Sequence, residues 1–154
     1  VIDTRFNGGG RLHEDIEVLF SGKKYFTQVV RGREACDMPS RRWNKPSIML
    51  TCEANYSNAH GTPWVYSHQK LGKLVGMPVP GTMTSVSWER LQDTSLVFGI
   101  PVIGYRLPDG NYLENTQLEP DIKVANDPEA IVKGEDTQLK TAVEELLKEL
   151  DENK

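Results

Sequence analysis

Features that mark several classes of protein are scarce or missing in this sequence. Two of the 154 residues are cysteine, there is no basic excess, and no apolar run approaches the ~18 residues that cross a membrane. The 18 lysines and arginines are outnumbered by 22 aspartates and glutamates, giving a formal charge of −4. Because a nucleic-acid partner requires a basic face, the composition argues against nucleic-acid binding, and the hydropathy argues against membrane insertion.

The two cysteines, Cys36 and Cys52, are too few for a disulfide framework and have no metal-type spacing. They would form one bridge in an oxidising compartment or stay as two free, partly buried thiols, and the sequence leaves both open. The three histidines share no spacing with carboxylates that would build a metal site. We therefore predict neither a metal nor a cofactor.

The length suits one domain, because a chain of ~150 residues buries about 68–70% of its unfolded surface. Without an internal repeat or a low-complexity stretch, residues 1–154 are predicted to form a single domain. The chain starts with Val1 rather than Met, and its first residues already have a strand pattern. We therefore expect it to be the C-terminal portion of a longer polypeptide.

The first half predicts strands that alternate with helices. Residues 1–6 form a strand pattern that runs into a glycine turn at 7–10, and a helix follows the turn. Residues 46–52 are a continuous apolar run suited to a strand buried on both faces. The pattern after it indicates a helix that ends by Gly72 and another strand over 73–79. This order predicts a βαβ crossover and a parallel sheet.

The remaining segments are less regular in pattern. They are predicted as a strand or helix end (23–35), a loop (36–46) and three strands of a meander (84–89, 95–101, 102–107). Asp127-Pro128 starts a short helix and Asp136 caps the last one. One apolar stripe marks that last helix: Leu139, Val143, Leu146, Leu147 and Leu150. The predicted class is α/β, with βαβ units followed by a β-meander and a C-terminal helix.

Ser57 stands between a buried strand and the start of a helix, where backbone N–H groups point outward. Those groups and the helix dipole favour negative charge, as the oxyanion of an acyl transfer requires. A nucleophilic serine is therefore one interpretation, and a simple N-cap is the other. The glycines of the 7–10 turn likewise fit either an anion-binding nest or a tight turn.

Three histidines could serve as a general base. His60 lies three residues after Ser57 on the same helix face, and this geometry aims it poorly at a nucleophile at the helix start. His13 follows the glycine turn, and neighbouring turns of a parallel sheet open on the same side. His68 is expected to be solvated. For each of the three, a surface or packing role is the alternative.

Four segments, in order along the chain, resemble a family of serine peptidases that includes tricorn protease and the C-terminal processing peptidases. Residues 2–10 resemble the family's D-x-R-x-N-x-G-G strand and turn, and residues 51–59 resemble its nucleophile segment. Residues 72–82 resemble the strand and turn after the nucleophile, and residues 113–121 resemble its E-N-x-x-x-x-P-D segment.

The resemblance implies a ClpP/crotonase-like core and assigns roles to four residues. Ser57 would be the nucleophile, and the backbone N–H groups of Asn58 and Gly9 would form the oxyanion hole. Glu114 would orient the general base. The base itself departs from the family, because Gly81 is followed by Thr82 where the processing peptidases have a lysine. The tricorn-type histidine comes from a part of the chain before the first segment, so the expected partner is that N-terminal part of the same protein.

The resemblance thus implies a serine endopeptidase that hydrolyses peptide or unfolded protein substrates through an acyl-enzyme, with this chain inactive by itself. Two alternatives accompany it: a catalytically inactive peptide-binding module, suggested by Asn58-Ala59-His60 after the nucleophile, and an acyl-transfer or hydratase enzyme of the crotonase type. A homo-oligomer is possible. Members of the family work in the cytosol and outside it, so the location is left open between cytoplasm and periplasm or extracellular space.

Overall fold

Four parallel strands form the central sheet in the order Ile2–Asp3, Ile48–Thr51, Lys73–Gly76 and Ile122–Lys123, and two separate antiparallel hairpins flank it. A computed structural model describes residues 1–152. Its elements in chain order are β1 (Ile2–Asp3), α1 (His13–Ser21), β2 (Phe26–Val30), β3 (Arg33–Met38), β4 (Ile48–Thr51), α2 (Asn58–His68), β5 (Lys73–Gly76), β6 (Ser85–Arg90), β7 (Val97–Ile103), β8 (Ile122–Lys123), α3 (Pro128–Val132) and α4 (Thr137–Glu152).

The strand β4 is buried on both faces, which explains its uninterrupted apolar sequence. Ile48 and Leu50 form one core cluster with Ala142 of α4, and Met49 belongs to a second cluster with Tyr66 of α2. All five side chains are fully buried. Each large apolar side chain buried in this way contributes about 1.5–3 kcal/mol to folding. The sheet is thus held between α4 on one face and α1 with α2 on the other.

The register of β1 against β4 decides which loops meet. Ile2 pairs with Met49 and Asp3 with Leu50, in parallel. Both strands therefore end at the same edge of the sheet, and the glycine turn after β1 lies against the loop after β4. The contact is direct, because the Tyr56 N–H donates to the Asn7 carbonyl at 3.0 Å.

Several predicted elements are confirmed. The parallel sheet with its βαβ order and the α/β class are present. Both predicted caps form: Asp127 accepts from the Glu129 N–H at 2.8 Å, and Asp136 accepts from the Leu139 N–H at 2.9 Å. The helix after the nucleophile segment ends at His68, four residues earlier than the predicted limit.

The loop predicted over 36–46 is wrong at its start, because β3 continues through Met38 and pairs with β2. The two strands are joined by Arg31 and Gly32, with φ of 48° and 80°. Two successive residues with positive φ make the tight turn that matches the twist of a hairpin. An arginine at the first of these positions is unusual, so the turn is hard to identify in the sequence.

The predicted three-stranded meander is also wrong. Residues 95–101 and 102–107 contain a single strand, β7, which pairs with β6 alone. Pro101 lies inside it and is tolerated because each strand of a two-stranded ribbon has a free edge where no N–H is needed. The strand β8, which has two residues and completes the sheet beside β5, is not predicted from the sequence.

Only part of the apolar stripe on α4 contacts the sheet. Leu146 packs against the core cluster of Ile48 and Leu50, which also contains Ala142, a fully buried residue outside the predicted stripe. The other members are 40–55% exposed: Leu139, Val143, Leu147 and Leu150. Both cysteines are free thiols, with Cys36 exposed and Cys52 buried. Within residues 1–152, no helix has the length and apolar character needed to cross a bilayer.

A forked ion-pair cluster ties the end of β1 to the start of α4. The Arg5 guanidinium donates to both carboxylate oxygens of Asp136, at 3.0 and 2.7 Å, and to both oxygens of Asp3, also at 3.0 and 2.7 Å. The Arg5 side chain is 10% exposed. Hydrogen bonds from Arg5 hold the pKa of the Asp136 carboxyl well below its usual range.

Replacing Arg5 with lysine keeps the charge but removes the fork. We expect Arg5→Lys to lower the free energy of unfolding at pH 7 by about 1–3 kcal/mol, measured by denaturant titration. The carboxylate's contribution is present above a pH of about 4 and is lost as the pH falls further, because its pKa is depressed in the folded state. The exposed Arg33→Lys serves as control and should change stability by less than about 0.5 kcal/mol. Equal effects of both substitutions would contradict this assignment.

His60 is a core residue, with no exposed surface and no hydrogen-bond partner for either ring nitrogen among the described residues. Burial lowers the pKa of its imidazole, and the nearby Glu114 carboxylate opposes this shift. The folded protein therefore holds His60 neutral at pH values where the unfolded chain has begun to bind a proton.

We expect the free energy of unfolding to decrease as the pH falls below about 6.5, by up to about 1.4 kcal/mol per pH unit for this one group. His60→Leu removes the titrating group and should reduce that slope between pH 6.5 and 5 in a series of chemical unfolding curves. The control is His68→Gln at an exposed position, which should keep the wild-type slope. If His60→Leu also keeps that slope, His60 is not the responsible group.

Candidate active site

Ser57 occupies a strained position at the junction between the β4 loop and α2. Its φ and ψ are 56° and −123°, and its side chain makes no capping hydrogen bond to the helix that it precedes. A non-glycine residue held at such angles costs about 1–3 kcal/mol and persists only where its surroundings enforce it. A simple N-cap has ordinary extended geometry and a bonded side chain, so the capping interpretation of Ser57 does not fit.

Two of the first three backbone N–H groups of α2 have a hydrogen-bond acceptor, and the first of the three has none among the described residues. The Ala59 and His60 N–H groups donate to the carbonyls of Tyr56 and Ser57. The Asn58 N–H has no acceptor among residues 1–152. It is thus a free donor at the positive end of a helix dipole, next to the Ser57 side chain.

Gly9 brings the glycine turn into contact with Ser57. A Cβ at this position would lie 2.8 Å from the Ser57 Cβ and 3.3 Å from the Asn58 nitrogen, and φ is +109°. Both the space and the backbone angle therefore require glycine. The Gly9 N–H donates to the Asn7 side-chain oxygen at 2.8 Å, whereas the Gly10 N–H has no acceptor among residues 1–152.

The Asn58 side chain connects this turn to α2. Its Oδ1 accepts from the backbone N–H groups of Leu12 at 2.8 Å and His13 at 3.3 Å. Its Nδ2 lies 2.6 Å from the His13 Nδ1. His13 therefore does reach the site, and it does so through Asn58 rather than by a hydrogen bond to Ser57.

Glu114 is linked to Ser57 through the segment 81–84. The Ser57 N–H donates to the Thr82 hydroxyl at 3.1 Å, and the Thr84 N–H donates to the Glu114 carboxylate at 2.6 Å. A backbone bond from Asn115 to the Gly81 carbonyl, at 2.9 Å, fastens the two segments together. Glu114 is half-buried.

The other two histidines lie away from the nucleophile's hydroxyl. His60 is in the core, and the exposed His68 stacks on Trp64 with ring centroids 4.5 Å apart. The structure gives no hydrogen bond between the Ser57 hydroxyl and the ring of any of the three histidines, all of which it describes. In residues 1–152, no group of three or more His, Cys, Asp or Glu side chains is arranged to hold a metal ion.

An apolar cavity of about 190 Å³ lies beside the site, and the sequence pattern does not reveal it. His13 forms part of its wall, and Met83 follows the Thr82 that contacts Ser57. The remaining wall is mainly apolar and comes from α2 and the 105–113 segment: Gly61, Trp64, Val65, Tyr105, Arg106, Leu107 and Leu113. Because these residues are far apart in sequence, no local motif could identify the cavity.

Comparison with known proteins finds similarity to tricorn-type proteases. A protein of Sulfurisphaera tokodaii named as a tricorn-like protease C-terminal subunit is 32% identical over 158 residues, which cover 99% of this chain and 18% of that protein. The tricorn protease of Thermoplasma acidophilum is 26% identical, over 97% of this chain and 14% of its own. The chain therefore spans less than a fifth of the length of these relatives.

A solved structure agrees with these sequence matches. The crystal structure of the tricorn protease superposes with a TM-score of 0.84 and 25% identity, covering 97% of this chain and 15% of that one. The family model described as peptidase family S41 matches residues 1–124. That match includes the glycine turn, Ser57 and Glu114, and the predicted family resemblance is confirmed. This chain belongs to peptidase family S41.

Proposed function

We propose that this chain carries the nucleophile and oxyanion half of a serine endopeptidase active site. The observation that carries the proposal is the packing around Ser57: a strained serine, a free Asn58 amide and a glycine turn in contact with both. Similarity to a tricorn-like protease C-terminal subunit and membership of peptidase family S41 support it.

In the proposed reaction, the Ser57 hydroxyl oxygen attacks the carbonyl carbon of a peptide bond, and its proton passes to a general base. The carbonyl oxygen becomes an oxyanion that accepts hydrogen bonds from the Asn58 amide and from the glycine turn. Gly9 gives the turn its close approach, and because the Gly9 amide is bonded to Asn7, we assign the second donor to Gly10. The protonated base then delivers the proton to the leaving amine, and water hydrolyses the acyl-enzyme.

We infer that the base belongs to an N-terminal part of the same protein. No histidine ring of this chain is hydrogen-bonded to the Ser57 hydroxyl, and the sequence has no lysine between Lys73 and Lys123. Glu114, tied to Thr84 beside the nucleophile, is proposed to orient that base. The chain by itself should be inactive or nearly so, because loss of one member of the catalytic set removes most of the rate.

The substrate is proposed to be a peptide or an unfolded protein. The cavity beside Ser57, which is mainly apolar, suits an apolar side chain next to the cleaved bond. A catalytically inactive peptide-binding module is the second candidate, favoured because no general base among residues 1–152 is hydrogen-bonded to the Ser57 hydroxyl. Restored hydrolysis on adding the N-terminal part would exclude this second candidate.

The proposal predicts that only the assembled protein hydrolyses peptides and that Ser57 is required. Peptide cleavage and labelling by a fluorophosphonate probe should both appear when the chain is combined with its N-terminal part. Ser57→Ala should lower kcat by about 10³-fold or more and abolish labelling. Ser40→Ala, at an exposed position, should behave as wild type. Labelling of the Ser57→Ala protein at the wild-type rate would refute the assignment.

The glycine turn provides a matched pair of substitutions. Gly9→Ala places a Cβ against Ser57 and Asn58 at a backbone angle that alanine tolerates poorly, so kcat of the assembled enzyme should fall by about 10²–10³-fold. At Gly8 a Cβ would meet no atom within 4 Å, so Gly8→Ala should retain activity within about threefold. Similar losses in both variants would show that the turn tolerates no substitution and would remove support for close approach at Gly9.

A further inference from the structure

We propose that the Asn58 side chain is a positioning group for the oxyanion site and that it locks His13 as a neutral imidazole with its proton on Nε2. The proposal rests on the proposed function, because it concerns the distance between the two donors assigned there. It adds a role for two side chains that the serine mechanism itself does not use.

The orientation of the Asn58 amide follows from the groups that surround it. The backbone N–H groups of Leu12 and His13 can only donate, so the atom that they share must be the oxygen, Oδ1. The Thr62 hydroxyl donates to the same oxygen at 3.3 Å. The amide nitrogen is therefore directed to the other side, where it lies 2.6 Å from the His13 Nδ1.

This orientation determines the state of His13. The Asn58 Nδ2 is a donor, so the His13 Nδ1 must accept and must have no proton. The proton of the neutral ring is then on Nε2. A doubly protonated ring would direct an N–H at the Asn58 amide, and one of the contacts would have to break. The ring has two neutral tautomers and one doubly protonated state, and the hydrogen-bond network selects the neutral tautomer with its proton on Nε2.

The surroundings of His13 are compatible with a neutral ring. The Tyr105 ring meets it edge-on, with centroids 6.4 Å apart, and Arg106 lines the same cavity. Among residues 1–152, no carboxylate lines that cavity, and the acidic residues nearest to His13 in sequence, Glu14 and Asp15, are on the same helix, α1. Glu114 follows the wall residue Leu113, and its carboxylate accepts from the Thr84 N–H at 2.6 Å.

The functional consequence is a fixed distance between the two proposed oxyanion donors. The Asn58 backbone supplies one donor, and its side chain holds Leu12 and His13, which lie two and three residues after the glycine turn that supplies the other. The Asn58 side chain is buried, with 5% of its residue surface exposed. Donors held in place before the reaction stabilise the transition state without reorganisation, and a shift of ~1 Å can cost ~10²-fold in rate.

The tautomer can be tested in the 154-residue chain without any activity, by ¹⁵N NMR of the imidazole nitrogens. We expect an unprotonated acceptor signal for His13 Nδ1 and a protonated signal for Nε2 at pH 7. In Asn58→Asp the donor facing Nδ1 becomes an acceptor, so His13 should become doubly protonated at the same pH. Thr62→Val keeps the Asn58–His13 contact and should keep the wild-type signals. A proton on Nδ1 in the wild-type chain would overturn the proposal.

The positioning role is tested by kinetics of the assembled protein. Asn58→Ala should lower kcat by about 10-fold to 10²-fold with KM within about twofold, because the substrate still binds while the donors lose their spacing. Asn58→Asp keeps the acceptor for Leu12 and His13 and should recover part of kcat. Wild-type kcat in Asn58→Ala would overturn the positioning role, whereas activity in Ser57→Ala would instead refute the proposed function.

Discussion

The parallel pairing of β1 with β4 is the constraint on which the candidate site depends. Two residues of each strand pair, and this short register places the glycine turn directly against the loop that carries Ser57. Thr4 strengthens the same junction, because its N–H and its hydroxyl both donate to the Leu50 carbonyl, at 3.2 and 2.7 Å. The Arg5 fork then fixes the end of β1 to α4, so the turn has few ways to move relative to the nucleophile loop.

The close approach of the glycine turn to Ser57 and the strained backbone of Ser57 both arise where the two loops meet at this edge of the sheet. The turn comes so near that a side chain at Gly9 would meet Ser57, and Ser57 itself is held at a positive φ. The buried sheet and the hydrogen bonds of the Asn58 side chain compensate for the cost of that backbone conformation. What the arrangement gains is a set of free backbone donors beside a serine, in a place where negative charge is favoured.

Much of this architecture is readable from local patterns. The continuous apolar run of β4, the glycine turn and the caps at Asp127 and Asp136 each have a physical meaning within a few residues. The hairpin turn at Arg31, the joining of two predicted strands into β7, and the two-residue β8 are different. They depend on backbone angles or on pairing partners that no window of neighbouring residues specifies.

The sequence by itself determined the fold class, the family resemblance and the identity of the candidate residues Ser57, Asn58, Gly9 and Glu114, because motif order and hydrophobic spacing are properties of the chain. Only the tertiary structure decided that Ser57 is strained and uncapped, and that His60 is a core residue while His13 reaches the site through Asn58. The physical reason is that hydrogen-bond partners and burial arise where distant segments meet. His13 and Asn58 are 45 positions apart, and the chain connects them only once the sheet has formed.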